Sequence, residues 1–166
     1  AMPTTTTREQ ERWNEIVAAP QLQALPYKVE TNAQDQILLR PHTTRHARQQ
    51  KAVMSHLDAL LPEGEAFQEW PVVTEDGTRQ ADVIWTSSER LHEMDETGDP
   101  PTLAPEICVE VLSESNTVEE RADKRALYRA AEAEEVWIVE ADGRVRFFRD
   151  EEIERSDLAP DFPAQI

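Results

Sequence analysis

Alternating apolar and polar positions predict two strands in the middle of the chain. In PEICVEV, residues 105–111, the side chains of Ile107, Val109 and Val111 point to one face of a strand. The segment RQADVIW, residues 79–85, alternates in the same way. Both segments are therefore expected to form core strands of a sheet.

The remaining elements follow from helical spacing and turn residues. Trp13, Ile16 and Val17 mark a first helix, and Thr7 with Gln10 forms a possible capping box before it. Two more helices are predicted, one over 43–61 and one from an Asn116 N-cap, with Glu119 at its third position, to about Ala133. A strand at 66–73 is joined to the strand at 79–85 by the turn EDGT. Two hairpins are also predicted, YKVE with QILLR and EVWIVE with RVRFFR. Residues 86–104 are predicted as an acidic loop with a helical turn at ERLHEM, and the segment after Asp150 as irregular.

The order of these elements predicts the fold class. A core of helix, three strands, helix, strand and strand is typical of an α/β domain with a mixed sheet flanked by helices. At 166 residues the chain has the size of one domain. We expect residues 1–25 to form an N-terminal helical extension and residues 26–166 a single domain.

Each of the two core strands has a carboxylate in its middle. Asp82 shares a strand face with Gln80 and Ile84, and Glu110 shares one with Cys108 and Leu112. An ionised carboxylate in such surroundings is costly unless it is paired. Pairing the strands brings the two acids together, and a divalent cation such as Mg²⁺, which binds one or two carboxylates, removes their repulsion.

The predicted helix after this strand offers a positive group. Arg121, Lys124 and Tyr128 lie on one side of that helix, together with Leu127. Lys124 is thus able to reach the carboxylates, where a lysine stabilises a developing negative charge or orients the attacking water.

The segments ADVIW, PEICVEVLSES and DKRALYRA together resemble the Uma-type restriction endonucleases, which belong to the PD-(D/E)xK nuclease superfamily. The resemblance extends over about residues 26–150 and includes PYKVETNAQDQILLRP and the WIVEADGRVRFF hairpin. It implies a restriction-endonuclease-like fold and a nuclease activity that requires Mg²⁺, with Mn²⁺ as a substitute.

The resemblance also implies a role for individual residues. Asp82 matches the metal-binding aspartate of the family and Glu110 its second acid, while Lys124 and Tyr128 match a lysine and a tyrosine on the next helix. Glu30 and His46 match positions where an acidic residue and a histidine often lie near the site. With these acids we expect the backbone carbonyl of Val111 to bind the ion.

Two positions depart from the pattern of the superfamily. Ala81 stands where a proline usually precedes the aspartate, and Leu112 stands where a lysine usually lies two residues after the second acid. The chemistry then depends on Lys124 acting from the helix, a relocation that the resemblance itself implies.

Other candidate residues have simpler explanations. Glu106 lies about 13 Å from Glu110 along the strand, which suggests a structural role. Cys108 is expected to be a small buried apolar residue. His42 and His46 have helical spacing, but no further cysteine or histidine completes a zinc site. His46 is either a helix-start residue with its own partners or a contact of the site.

The charge of the chain complicates the choice of partner. A net charge of −17, from 34 acidic and 17 basic residues, opposes a polyanionic partner at low salt. The basic residues are three lysines and fourteen arginines, a composition that suits a cytoplasm of high salt, although an ordinary acidic protein is the simpler alternative.

We interpret the chain as an endonuclease acting on nucleic acid, with DNA preferred, and as a homodimer, since cleavage of two strands requires two sites. The alternatives are a non-catalytic binding or assembly module with the nuclease fold and a hydrolase of small phosphates. The sequence contains no segment typical of a signal peptide or a membrane helix and only one cysteine, so we expect a cytoplasmic protein.

Overall fold

The computed structural model describes residues 7–113 and 116–166 and contains a six-stranded mixed sheet with helices on its two faces. The helices are α1 (Arg8–Val17), α2 (Pro20–Gln23), α3 (Thr44–Leu60), α4 (Ser88–Glu96) and α5 (Val118–Ala130). The strands are β1 (Tyr27–Thr31), β2 (Ile37–Pro41), β3 (Gly64–Thr74), β4 (Gly77–Ser87), β5 (Ile107–Val111), β6 (Glu135–Val139), β7 (Val145–Phe148) and β8 (Glu152–Ile153).

The large sheet has its strands in the order β3-β4-β5-β6-β7-β8. Only β5 and β6 are parallel, because α5 crosses between them, while each of the other neighbouring pairs is antiparallel. Strands β1 and β2 form a separate antiparallel hairpin. The predicted α/β mixed sheet flanked by helices is confirmed.

The register of β4 against β5 decides where the two central acids lie. Val83 pairs with Val109 and Ile84 with Cys108. One further step in this register puts Asp82 opposite Glu110, so that both carboxylates leave the sheet on the same face. The predicted proximity of the two acids is confirmed.

Two buried layers fix the sheet against its helices. On one face, Val53 and Leu57 of α3 pack with Val83 and Val109. On the other face, Tyr128 of α5 packs with the side chains of Ile84 and Cys108. The two acids leave the sheet on the face that α5 covers, and His46, near the start of α3, also reaches Asp82.

The start of α5 differs from the sequence prediction by one residue. The N-cap is Thr117, whose side chain accepts from the backbone N–H of Glu120 in a capping box, so the prediction of Asn116 with Glu119 was wrong. The reason is that the side-chain oxygen of Asn116, Oδ1, accepts from the backbone N–H and the hydroxyl of Ser113 instead.

Two other segments are more ordered than the sequence indicated. The helical turn predicted at ERLHEM is a nine-residue helix, α4, capped by Ser87. The segment after Asp150 includes the short strand β8 and buries Ala159 and Phe162 in the core on the α3 face. Phe162 packs against Trp137 with ring centroids 4.6 Å apart, which explains why this segment is held without strand or helix periodicity.

The first helix contacts the body of the protein through its buried side. The predicted capping box of Thr7 and Gln10 is confirmed, and the Gln10 amide also donates to the carbonyls of Thr97 and Pro100. The division into an N-terminal extension and one domain stays a prediction. Within residues 7–113 and 116–166, no helix combines the length and hydrophobicity needed to cross a bilayer.

Candidate functional site

Side chains from five elements meet where β4 and β5 present their acids. The residues are Lys28 and Glu30 of β1, His46 of α3, Asp82 of β4, Glu110 of β5, and Lys124 and Tyr128 of α5. The cluster therefore contains every side chain that the sequence predicted for the site, together with Lys28, which the sequence did not predict.

Asp82 is almost completely buried and accepts from three groups. Its Oδ2 accepts from the backbone N–H of Val111 at 2.8 Å. Its Oδ1 accepts from Lys28 Nζ at 3.0 Å and lies 3.3 Å from His46 Nε2. Of the two possibilities left open for His46, the structure supports contact with the site. The amide of Gln50 donates to the Asp82 backbone carbonyl at 3.1 Å and fixes the strand there.

Glu110 is held by side chains of α5 and of β1. Its Oε1 accepts from the Tyr128 hydroxyl at 2.8 Å and lies 3.4 Å from Lys124 Nζ. Its Oε2 accepts from Lys28 Nζ at 3.2 Å. The carboxylate beside Cys108 and Leu112 is thus tolerated because two ammonium groups and a phenol compensate its charge.

Lys28 is the residue that the sequence interpretation missed. Its ammonium group lies between Asp82 and Glu110 and is 4.0 Å from Glu30, and the side chain is only 6% exposed. A signal was present in the sequence, because Lys28 and Glu30 alternate on one face of β1 and Glu30 was already a candidate.

Glu30 and Lys124 form the second layer of the cluster. Glu30 is fully buried, and its Oε2 accepts from the backbone N–H of Gln80 at 2.8 Å and from Lys124. Glu30 Oε1 is buried without a hydrogen-bond partner in the described part of the chain. Glu30 therefore fixes the position of the Lys124 ammonium group while retaining one free acceptor.

The two central acids respond in opposite ways to their surroundings. Burial raises the pKa of Glu110, with help from the charges of Asp82 and Glu30, and outweighs the lowering by Lys124 and Lys28. Burial also acts on Asp82, but there the charge of Lys28 and the hydrogen bond from His46 outweigh it and lower the pKa. The site consequently favours the charged form of Asp82 more than that of Glu110.

The surrounding groups have shifted pKa values as well. Burial raises the pKa of Glu30, but Lys124 and Lys28 outweigh burial and lower it to about 2. Burial lowers the pKa of Lys28, but Asp82, Glu110 and Glu30 outweigh burial and raise it above its ordinary value. Lys28 is thus a permanent positive charge at neutral pH.

A narrow pocket opens onto the cluster. Its volume is about 40 Å³, which is room for about three water molecules. Arg40 and Arg121 line the pocket beside Lys28, Lys124 and the acids. Arg40 pairs with Glu120 at 3.3 Å and Arg121 with Glu140 at 3.1 Å, and all four side chains are partly exposed. A strongly acidic protein therefore has a local concentration of cations around this one opening.

The two carboxylates fit a hard divalent ion, both as oxygen ligands and in the number of protein ligands. Asp82 Oδ1 and Glu110 Oε2 converge on one cationic group, the Lys28 ammonium. Among the described residues, no group of three or more His, Cys, Asp or Glu side chains has the arrangement of a metal site. Two carboxylates are nevertheless the protein contribution that Mg²⁺ commonly has, since it retains several waters.

The residues given simpler explanations lie outside this cluster or at its edge. Glu106 accepts from the backbone N–H of Ser87 at 3.2 Å, just before α4, which agrees with a structural role. Cys108 is fully buried, and burial raises the pKa of its thiol, so the thiol is not activated as a nucleophile. The ring of His42 lies 5.0 Å from that of His46 at the edge of the pocket.

Comparison with known proteins shows the family and supports the fold. The model of the Uma2 family, described as "Putative restriction endonuclease", matches residues 13–163. The fold resembles that of a putative nuclease belonging to DUF820 from Anabaena variabilis ATCC 29413, with a TM-score of 0.66 and 15% sequence identity. This similarity covers 82% of the present chain and 86% of the other. No curated protein sequence matches the chain.

Proposed function

Because the chain belongs to the Uma2 family, we propose that it is a Mg²⁺-dependent endonuclease that hydrolyses phosphodiester bonds of DNA, with Mn²⁺ able to replace Mg²⁺. The observation that supports this most is the convergence of Asp82 and Glu110 on a single cationic position at the base of the pocket. A pair of buried carboxylates without a cation between them would repel each other.

In this proposal, Asp82 and Glu110 hold the ion with the backbone carbonyl of Val111. The Val111 N–H and His46 fix the Asp82 carboxylate from two sides, and Tyr128 fixes the Glu110 carboxylate. When bound, the ion would act as a Lewis acid that polarises the scissile phosphate and lowers the pKa of a coordinated water.

Lys124 acts on the substrate and not on the ion. Its ammonium group is held by Glu30 and lies 3.4 Å from Glu110, at the wall of the pocket. From there it stabilises the negative charge that develops on the phosphate oxygens. Glu30 is a positioning residue, since its contact is with Lys124 and not with the opening.

The arginines at the opening support a polyanionic substrate despite the acidic surface. Among the described residues, Arg40 and Arg121 each have a single carboxylate partner that a backbone phosphate can replace. We also propose a homodimer, because cleavage of both strands of a duplex needs two such sites. A cytoplasmic location fits the single cysteine, Cys108, which is free and buried.

A cleavage assay tests the proposal directly. Supercoiled plasmid and single-stranded DNA are incubated with the protein and Mg²⁺ or Mn²⁺, at low and at molar salt, with a chelator as the blank. We expect nicking that depends on the metal and that Glu110→Gln abolishes. The matched control is Glu106→Gln, which changes the same residue type just before the same strand and should retain activity.

One observation favours a second function, a binding or assembly module that has the nuclease fold but does not cleave. All four carboxylate oxygens of Asp82 and Glu110 already have protein donors or cations as neighbours, with Lys28 at the central position. A net charge of −17 points in the same direction. Absence of both cleavage and Mn²⁺ binding under all of these conditions would favour the module.

A further inference from the structure

Lys28 occupies the position that a divalent ion needs. Its Nζ is 3.0 Å from Asp82 Oδ1 and 3.2 Å from Glu110 Oε2, and these are the two oxygens that converge at the base of the pocket. No other ammonium group described contacts both acids, since Lys124 contacts Glu110 and Glu30.

The balance of charge shows why Lys28 and an ion exclude each other. Glu30, Asp82 and Glu110 supply three negative charges, and Lys28 and Lys124 supply two positive ones, so the metal-free cluster has a net charge of about −1. Adding a doubly charged ion beside Lys28 would leave an excess of positive charge in a buried space, whereas an ion that displaces Lys28 leaves the cluster neutral. An ion and an ammonium group at the same pair of oxygens also overlap sterically.

Lys28 has a place to move to. It lines the small pocket and also a neighbouring cavity of about 470 Å³ between α1, α2, β1 and β3. That cavity has the exposed carboxylate of Glu69 on its wall. A rotation of the long lysine side chain from one cavity to the other would expose its ammonium group to solvent on the side where Glu69 lies.

We propose that Lys28 is a tethered cation that satisfies Asp82 and Glu110 in the metal-free protein, and that a divalent ion binds only by displacing it into the neighbouring cavity. This inference rests on the proposed function, because it concerns the same ion position. Lys28 thereby sets the metal concentration at which the site is filled, and it keeps the fold intact when no metal is bound.

Calorimetric titration with Mn²⁺ tests the competition. Lys28→Gln should bind Mn²⁺ at least about tenfold more tightly than the parent, since each 1.4 kcal/mol of relieved competition is a factor of ten. Lys28→Arg retains the charge and should show no such gain. The matched control is Lys51→Gln, which removes an exposed lysine of α3 and should bind Mn²⁺ like the parent.

Chemical labelling of the unmodified protein gives an independent readout. Reductive methylation followed by mass spectrometry should show Lys28 protected without metal and labelled faster with saturating Mn²⁺, while Lys51 stays unchanged. This measurement decides the question even if Lys28→Gln does not fold.

The outcomes separate this inference from the proposed function. If parent and Lys28→Gln bind Mn²⁺ equally well, or if Lys28 stays protected when Mn²⁺ is bound, Lys28 does not compete and the inference is overturned while the metal site stands. If neither the parent nor any Lys28 variant binds Mn²⁺, the proposed function fails and the inference fails with it.

Discussion

Asp82 and Glu110 are expected to respond differently when each is replaced by its uncharged amide. In Asp82 the Lys28 and His46 contacts outweigh burial and lower the pKa, so the fold favours its charge. In Glu110 burial outweighs the lysines and raises the pKa, so the fold disfavours its charge. Without metal, Asp82→Asn should therefore destabilise the protein and Glu110→Gln should leave its stability nearly unchanged.

The contacts give the size of the difference. Removing one partner of a buried ion pair costs about 3–5 kcal/mol of the free energy of unfolding. We expect about 3 kcal/mol for Asp82→Asn, the lower end of that range, because Glu110 and Glu30 still face Lys28. Glu110→Gln loses its charge-assisted contacts with Lys28 and Lys124 but retains an oxygen for the Tyr128 hydroxyl and no longer buries a charge. Its net effect should be within about 1 kcal/mol.

Urea denaturation at pH 7 with a chelator measures both variants. With a slope of about 2 kcal/mol per molar urea, Asp82→Asn should lower the midpoint by about 1.5 M and Glu110→Gln by less than about 0.5 M. A Mn²⁺ titration should show no binding by either variant. Equal destabilisation would refute the assignment of opposite environments. If Glu110→Gln unfolds readily but binds Mn²⁺ like the parent, Glu110 is structural and the proposed metal site is wrong.

Three further predictions concern the surroundings of the pair. Lys124→Ala should bind Mn²⁺ nearly as the parent does but cleave DNA about 10²–10³-fold more slowly in single-turnover assays, because Lys124 contributes to the transition state. A loss of metal binding would contradict this. The pKa of Glu30 is lowered to about 2, so its stabilising contribution is complete above pH 4.5 and is lost as pH falls through 2. Between pH 4.5 and 2, the free energy of unfolding should therefore depend less on pH in Glu30→Gln than in the parent. An unchanged pH dependence would count against the Glu30–Lys124 pair. With a net charge of −17, thermal stability and DNA binding should rise from low to molar salt, and a steady loss of both in melts and binding titrations would exclude this.

The sequence predicted the sheet well because its information is local. The turn EDGT and the alternation in β4 and β5 define strands and faces without reference to the rest of the chain. Once β4 and β5 are neighbours, the placement of Asp82 beside Glu110 requires only the register. The helical position of Lys124 is local as well, and α5 is long enough for its phase to be read from the sequence.

The sequence did not predict Lys28 because that contact is not local. Lys28 is 54 residues from Asp82 and 82 residues from Glu110, and it comes from a hairpin that is not part of the large sheet. Strand alternation shows that Lys28 and Glu30 share a face, but not which surface this face covers. The same limit applies to Phe162, whose place in the core depends on Trp137 and not on any periodicity of its own segment.

The scarcity of lysine adds a signal that local patterns lack. Only three lysines occur beside fourteen arginines, and two of the three, Lys28 and Lys124, have their ammonium groups at the buried acids. An ammonium group is a compact point charge that donates in several directions, whereas a guanidinium is a flat fork that needs more room. A position between two carboxylates therefore admits lysine more readily than arginine. In a chain that uses arginine almost everywhere else, each remaining lysine is a candidate for a place where a small cation is required.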